Sequence, residues 1–243
     1  LQQVEHFNNP GITQNDAFKV VTKYFDRITR PEQILQTLPQ AIQVMLDPAD
    51  CGPACISLSQ DIQGEVYEYP EEFFRERIHA IRRPRADDYQ IKQAAELIKK
   101  STNPIIISGG GVFYSDATKE LSSFAKKHNI PTTQTVMGYS SMKRDDPYFV
   151  GPIGGLGGKA ANNLAKKTDL AIAVGTKLGD FTTGSWANFE NPKFKLLSIN
   201  VSRFDANKHM AQSVIGDAKV SLMDLSNALG SWKASDEWYK KSR

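Results

Sequence analysis

The sequence predicts an α/β protein: a Rossmann-like parallel sheet with helices on both faces, preceded by a partial α/β segment. Three features lead there. Ile105-Ile106-Ile107 is a β-branched run suited to a strand buried on both faces. It ends in Gly109-Gly110-Gly111 and is followed by a helical pattern, and strand, glycine turn and helix together open a parallel α/β unit. Further apolar runs, Leu170–Val174 and Leu196–Ile199, alternate with helical segments, which implies right-handed crossovers between parallel strands.

Taken in order, residues 1–64 read as part of an α/β unit. Thr13–Phe25 has apolar residues near helical spacing. Thr29-Arg30-Pro31-Glu32 is a capping box with proline in the first turn. It opens a helix with Ile34, Leu35, Leu38, Ala41, Ile42 and Met45 on one face. Ala54–Leu58 is a strand with no sheet of its own to join, so this part reads as the end of a domain whose beginning lies elsewhere. Residues 65–88 are charged and proline-containing and read as a linker, with Arg82-Arg83-Pro84-Arg85 solvated.

Residues 89–230 form a self-consistent unit. Asp87 or Asp88 caps a helix with Ile91, Ala94, Ala95 and Ile98 inward, and the Ile105 strand follows. A helix from Ser115 turns Ala117, Leu121, Phe124 and Ala125 inward, with His128 at the surface by its negative pole. Thr132–Val136 is a second strand, then a long glycine-rich loop and a helix over Lys159–Lys167. After the Leu170 and Leu196 strands, Val214-Ile215 is a short fifth, and Gly216-Asp217 leads into a helix with Leu222, Leu225 and Leu229. Residues 231–243 are a linker or terminal helix.

Composition excludes several classes. An apolar content of 40% and a charged content of 23% are ordinary for a globular protein. No apolar run approaches the roughly 18 residues of a membrane span. The polar start, Leu1–His6, lacks a signal-peptide pattern. A net charge of +3, without an aromatic or glycine-rich RNA pattern, does not argue for nucleic acid. Cys51 and Cys55 have no second ligand pair for zinc, Cys55 falls in an apolar strand as a buried thiol, and this usage suits the cytoplasm.

Gly151–Ala160 invites two motifs and satisfies neither. Gly155, Gly157 and Ala160 fit a dinucleotide fingerprint but follow a long polar loop instead of a strand. A P-loop aligned on Gly158-Lys159 fails at Ile153 and Ala160. What remains is a mobile loop whose amides, at the start of the Lys159 helix, face an anion. His6, His79, His128 and His209 have no patterned partner, and Ser57 and Ser59 lack a nucleophile-elbow context.

Order and motifs together resemble the thiamine-diphosphate-dependent enzyme family. Gly52-Pro53-Ala54-Cys55-Ile56-Ser57-Leu58-Ser59-Gln60-Asp61-Ile62-Gln63 is similar to the end of its pyrimidine-binding domain. Pro104–Gly111, Ala173–Thr176, Ile199–Val201 and Ile215–Ala218 resemble, in order, the central domain. The resemblance implies a parent enzyme using thiamine diphosphate and Mg²⁺ to hydrolyse a C–C bond and open a cyclic dione in inositol catabolism. Alternative parents are a malonic semialdehyde oxidative decarboxylase or an acetolactate-synthase-like enzyme. The family's cofactor-activating glutamate and its metal-binding G-D-G…N segment are not matched. Gly179-Asp180-Phe181 departs from that pattern, and Gly216-Asp217-Ala218 lies too near the end. The piece is therefore expected to be inactive alone, with the missing pyrimidine and diphosphate domains as partners in a homo-oligomer. The rival reading is a freestanding nucleotide-binding or regulatory module.

The groove expected at the carboxyl ends of the strands is formed by Gly109, Gly110, Gly111, Gly175, Thr176, Lys177, Asn200 and Ser202. Glycine amides would hold a diphosphate, Lys177 would add charge, and Asn200 would bond a ribose hydroxyl of FAD, ADP or NAD. Asn200 and Ser202 stand where nucleotide-binding central domains of the family often carry acidic residues, which points to a vestigial groove kept as a spacer.

Overall fold

The computed structural model describes residue 8 and residues 12–243, so His6 and the polar start lie outside the described residues. It divides into two compact units, residues up to Arg82 and Arg83–Arg243. In the first, a 3₁₀ segment over Gln14–Val20 precedes strand β1, Tyr24–Ile28. Helix α1, Ile34–Met45, then connects it to β2, Ala54–Leu58. The strands pair in parallel, Tyr24 opposite Ala54 and Ile28 opposite Leu58.

The helix expected over Thr13–Phe25 is thus replaced by a short 3₁₀ turn and a strand. Val20-Val21-Thr22 is a β-branched run that resists a helix, and Tyr24–Ile28 gains a strand partner instead. The helix start also differs in detail. Gln33 Oε1 accepts from the Thr29 and Arg30 amides at 2.6 and 2.9 Å, while Glu32 pairs with Arg30. On α1, Thr37 and Ala41 are buried but Leu38 and Met45 are exposed. Cys51 is exposed and Cys55 half-buried, both as free thiols.

The second unit begins with α2, Asp88–Lys99, capped by Asp87, whose carboxylate accepts from the Gln90 amide. Then come β3, Pro104–Ser108; α3, Gly110–Tyr114; α4, Thr118–His128; β4, Thr132–Gln134; and β5, Phe149–Pro152. Next are α5, Lys159–Ala165; β6, Leu170–Val174; α6, Asp180–Thr183; and β7, Lys195–Asn200. The chain ends with α7, Arg203–Ala206; β8, Gln212–Ile215; α8, Ala218–Leu229; and α9, Asp236–Lys241.

Six strands form one parallel sheet in the order β5-β4-β3-β6-β7-β8. Side chains alternate between its faces. Ile106, Ile172 and Ile199 pack with Ile98 of α2, Phe124 of α4 and Leu225 of α8. Ile105, Ile107, Ala171 and Ala173 pack on the other side with Ala161 and Leu164 of α5 and Trp238 of α9. Helices therefore cover both faces, as the sequence predicts.

Four expectations need correction here. Strand β5 lies inside the stretch expected to be loop; as an edge strand it tolerates Gly151 and Pro152. The helix expected from Ser115 begins only at Thr118, and a separate short helix, Gly110–Tyr114, takes up the glycine turn before it; Asp116, at φ 52°, lies between the two. From residue 83 onward the arginine segment is bound: Arg83 reaches Asp217 at 3.2 Å, and Arg85 reaches both oxygens of Asp224 at 2.7 and 2.8 Å. Finally, His128 is fully buried, because the chain after α8 folds back over it. Its Nδ1 lies 2.7 Å from the Trp232 carbonyl and its Nε2 3.1 Å from Ser226 Oγ. A carbonyl only accepts, so Nδ1 carries the proton.

Burial pushes the His128 pKa below its ordinary value; the Trp232 carbonyl pulls the other way, and Lys127 and Lys233 add to the lowering. A depressed histidine pKa means the unfolded chain binds the proton more readily, so stability is lost as pH falls below about 6.5. Urea unfolding at pH 7.5 and 5.5 is expected to show this loss. His128→Gln should remove that part of the pH dependence while costing about 1–3 kcal/mol at pH 7.5 from imperfectly paired groups. Parallel loss in both proteins would show that other groups set the dependence.

Candidate functional site

The chain enters the sheet at β3, fills one side with β4 and β5, then crosses to β6, β7 and β8 on the other. The point of reversal lies between β3 and β6, and in open parallel sheets ligands bind beyond the carboxyl ends of the strands at such a point. Gly109–Gly111 leave β3 there, Gly175–Lys177 leave β6, and Asn200–Ser202 leave β7. The eight residues named from sequence thus share one edge.

The two glycine segments press against each other. The Gly109 amide donates to the Val174 carbonyl at 2.8 Å and the Gly111 amide to the Gly175 carbonyl at 2.9 Å. A Cβ on Gly109 would lie 2.4 Å from the Gly175 oxygen, and one on Gly111 2.6 Å from the Gly175 Cα. Gly175 itself has φ +60°, and its added Cβ would meet the Gly111 Cα at 2.6 Å. Glycine is required here by close approach and by backbone conformation. Gly110 faces a different neighbour: its Cβ would sit 3.1 Å from the Met137 carbonyl oxygen.

The polar groups nearby are also engaged. Thr176, 9% exposed, accepts at Oγ1 from the Leu178 amide at 3.3 Å. Asn200 donates from Nδ2 to the Thr176 carbonyl at 3.3 Å and accepts at Oδ1 from the Ser202 amide at 3.0 Å. Ser202 Oγ caps α7 by accepting from the Asp205 amide. Lys177 is exposed and lies 4.0 Å from Asp205, which Lys208 holds more closely at 2.6 Å.

The Gly151–Ala160 loop spends its amides in the same way. Gly154 donates to Asn162 Oδ1, Gly155 to the Phe181 carbonyl, Gly157 to the Gly154 carbonyl and Gly158 to the Pro152 carbonyl. The anion-facing amides expected of it are therefore occupied. Ser57 Oγ accepts from Asn15 Nδ2, and His79 and His209 are exposed.

The chemistry of the acidic groups does not suit a metal–diphosphate site. Asp217 Oδ1 accepts from the Lys219 and Val220 amides, capping α8, while Oδ2 accepts from Ser115 Oγ and Arg83. Asp180 Oδ1 accepts from Ser185 Oγ at 2.8 Å. Among the described residues, no group of three or more His, Cys, Asp or Glu side chains is placed to hold a metal ion. Nor is any helix among them long and apolar enough to cross a membrane.

Sequence reasoning missed Gln134 and Asp205. Gln134 ends β4 at the same edge, 7% exposed, with Oε1 lacking a partner among the described residues. Its signal was weak, a single polar residue at the end of a short strand. Asp205 stands three residues beyond Ser202 and anchors the cations Lys177 and Lys208; the expected acidic positions, 200 and 202, drew the reading away from it. A cavity of about 380 Å³ lies at the opposite, amino edge, lined by residues including Ser101, Asn103, Trp232 and Trp238.

Comparison with known proteins agrees with this architecture. Residues 91–225 match the family model described as thiamine pyrophosphate enzyme, central domain. Three relatives share the name 3D-(3,5/4)-trihydroxycyclohexane-1,2-dione hydrolase. The Clostridium perfringens (strain 13 / Type A) protein is 48% identical over 225 residues, 93% of this chain and 35% of the relative. The Clostridium botulinum (strain Alaska E43 / Type E3) protein is 46% identical over 239 residues, 96% of this chain and 37% of the relative. The Bacillus cereus (strain 03BB102) protein is 44% identical over 229 residues, 94% of this chain and 36% of the relative. The chain thus spans little more than a third of the length of these curated relatives. With a family model covering more than half of its residues, the chain belongs to the thiamine pyrophosphate enzymes and contains their central domain.

Proposed function

We propose that this chain serves as a scaffold within a longer thiamine-diphosphate-dependent hydrolase that opens a cyclic dione by cleaving a C–C bond. The name of relatives 44–48% identical over more than nine-tenths of the chain supports that parent activity. The cofactor and Mg²⁺ would be held by parts outside the chain, since Asp217 is engaged in capping α8 and Asp180 accepts from Ser185, and no group of three or more His, Cys, Asp or Glu among the described residues is placed to hold a metal ion. The parent would work in the cytoplasm as a homo-oligomer. In this reading residues 1–64 are the C-terminal part of a pyrimidine-binding-type domain, 65–88 a linker, 89–230 the central domain and 231–243 a linker or terminal helix.

One observation carries the scaffold role: backbone fills the crevice at the reversal point. The Gly109 and Gly111 amides that would face a diphosphate already donate within the protein. The second reading, a nucleotide such as FAD, ADP or NAD in this groove, is favoured by the placement of Lys177 and Asn200 at the same edge.

Full-length protein supplied with the dione is expected to turn it over only with thiamine diphosphate and Mg²⁺ present, and this chain alone to give none. Turnover by the chain alone would refute the scaffold role. Calorimetry with ADP, FAD and NAD is expected to find nothing tighter than about 10 μM, roughly 7 kcal/mol. Tighter binding that Gly110→Val abolishes would establish the nucleotide reading instead. In thermal or urea unfolding, Gly111→Ala should cost about 1–3 kcal/mol by overpacking. Gly175→Ala should cost about 1–2 kcal/mol more from its left-handed backbone. Gly179→Ala, whose added Cβ meets nothing within 4 Å, should stay within about 0.5 kcal/mol of the parent sequence.

A further inference from the structure

The cavity of about 380 Å³ at the amino edge lies within the second unit, between the turn that precedes β3 and the segment that carries α9. Its walls are fixed by hydrogen bonds. On one side, Ser101, Thr102 and Asn103 are gathered by Asp169, which accepts four hydrogen bonds from them. On the other, His128 Nδ1 donates to the Trp232 carbonyl at 2.7 Å and the Ala234 amide to the His128 carbonyl at 2.9 Å. Asn129 Nδ2 donates to the Ala234 carbonyl at 3.1 Å. Trp238, also in the lining, is held by its indole at the Pro104 carbonyl, 2.8 Å away. A site formed before its ligand arrives avoids the cost of ordering itself on binding.

The groups left unspent in the lining have one chemical character. Its charged residues are Lys233, Lys241 and Glu237, two cations against one anion. Lys241 is paired with Glu237 at 2.7 Å, whereas Lys233 is exposed and its Nζ has no hydrogen-bond or ion-pair partner among the described residues. Ser235 Oγ caps α9 by accepting from the Trp238 amide at 3.1 Å, which leaves its hydroxyl proton to donate. Asp169 is not in the lining, and its charge is taken up by the donors of the wall in front of it. A free cation and a free hydroxyl donor therefore stand beside Trp232, Ala234 and Trp238.

We infer that this cavity is a binding site for a small ring-bearing carboxylate. The ring lies among Trp232, Ala234 and Trp238, where indole offers it a flat apolar partner. The carboxylate meets Lys233 and Ser235, the first through a charge-assisted hydrogen bond. An uncharged ring would leave Lys233 unpaired, and an inorganic anion would leave the indoles unused. The volume falls within the range of small-molecule sites. A ligand there touches both the turn after α2 and the segment bearing α9, so it fastens that segment to the sheet. The site uses neither the dione nor thiamine diphosphate, so it stands or falls apart from the reading of the chain as a hydrolase scaffold.

The test titrates benzoate into the full-length protein by calorimetry, with benzamide as the uncharged comparison and inorganic phosphate as the ringless one. Benzoate is expected to bind with a Kd of about 1 mM or tighter, and the other two at least about tenfold more weakly. Lys233→Gln, at an exposed position, should weaken benzoate at least about tenfold. Ser235→Asp keeps a capping side chain but sets a carboxylate in the cavity, and should abolish binding without lowering the thermal unfolding temperature. Lys240→Gln removes a neighbouring charge outside the lining and should leave the affinity within about twofold. No binding at about 20 mM benzoate would overturn the inference. So would affinity that survives Lys233→Gln or Ser235→Asp, since benzoate would then sit elsewhere. Equal binding of benzamide or phosphate, or a loss in Lys240→Gln as large as in Lys233→Gln, would overturn it too.

Discussion

Bare backbone lying against bare backbone, Gly111 on Gly175, is the constraint on which the second unit depends. Strands β3 and β6 are neighbours, and the chain diverges from them in opposite directions. The turns that leave them must pass each other in the same few ångströms. A single Cβ at Gly109, Gly111 or Gly175 would come within 2.6 Å of the facing backbone. With the glycines in place, the Gly109 and Gly111 amides bond across to the β6 side and the Gly175 amide to the Ile199 carbonyl. The contact thereby ties β3, β6 and β7 together above the sheet. The same geometry accounts for the site: the amides that would cradle a phosphate elsewhere hold the two halves of this sheet in register.

The amino edge is closed by a different device. Asp169, just before β6, accepts from Ser101 Oγ, from the Thr102 amide and hydroxyl, and from the Asn103 amide. Burial raises its pKa, yet these donors outweigh burial and hold the carboxyl below its ordinary range. Trp238 then seals the outside of this edge. It is 2% exposed, and its indole donates to the Pro104 carbonyl at 2.8 Å. Where the carboxyl edge spends backbone amides, the amino edge spends a carboxylate and an indole.

Much of this was legible because it is local. The Ile105 and Leu170 strands announce themselves by β-branched and apolar runs, and the helices by their spacing and by caps such as Asp87 and Asp217. The misreadings came where distant residues decide. His128 looks like a polar helix end, and only the return of Trp232 across a hundred residues buries it. Tyr24–Ile28 has helical spacing upstream but is claimed by β2, thirty residues later. Strand β5 hides between an Asp-Asp-Pro turn and a glycine-proline pair because an edge strand needs neither a full apolar face nor every amide. At the site, the positions were readable from the glycines and strand ends. That the amides were already used was not, since partners such as Val174 and Gly175 lie sixty residues from the glycines they hold.

The two edges of one sheet therefore differ in a way that sequence alone conceals. At the amino edge, tryptophan, tyrosine and histidine are drawn inward by carbonyl partners: Trp238 to Pro104, Tyr239 to Pro147 and His128 to Trp232. At the carboxyl edge the large side chains are exposed beside glycines whose amides, at Gly109, Gly111 and Gly175, bond within the unit. This edge shows large apolar side chains to water, beside the exposed Lys177 and a Gln134 Oε1 that lacks a partner among the described residues. A small charged ligand needs unspent donors, whereas a packed protein surface needs shape and apolar area. The interior pairing of Gly111 with Gly175 thus does more than fix the sheet. It engages the Gly109 and Gly111 amides in the unit's own hydrogen bonding.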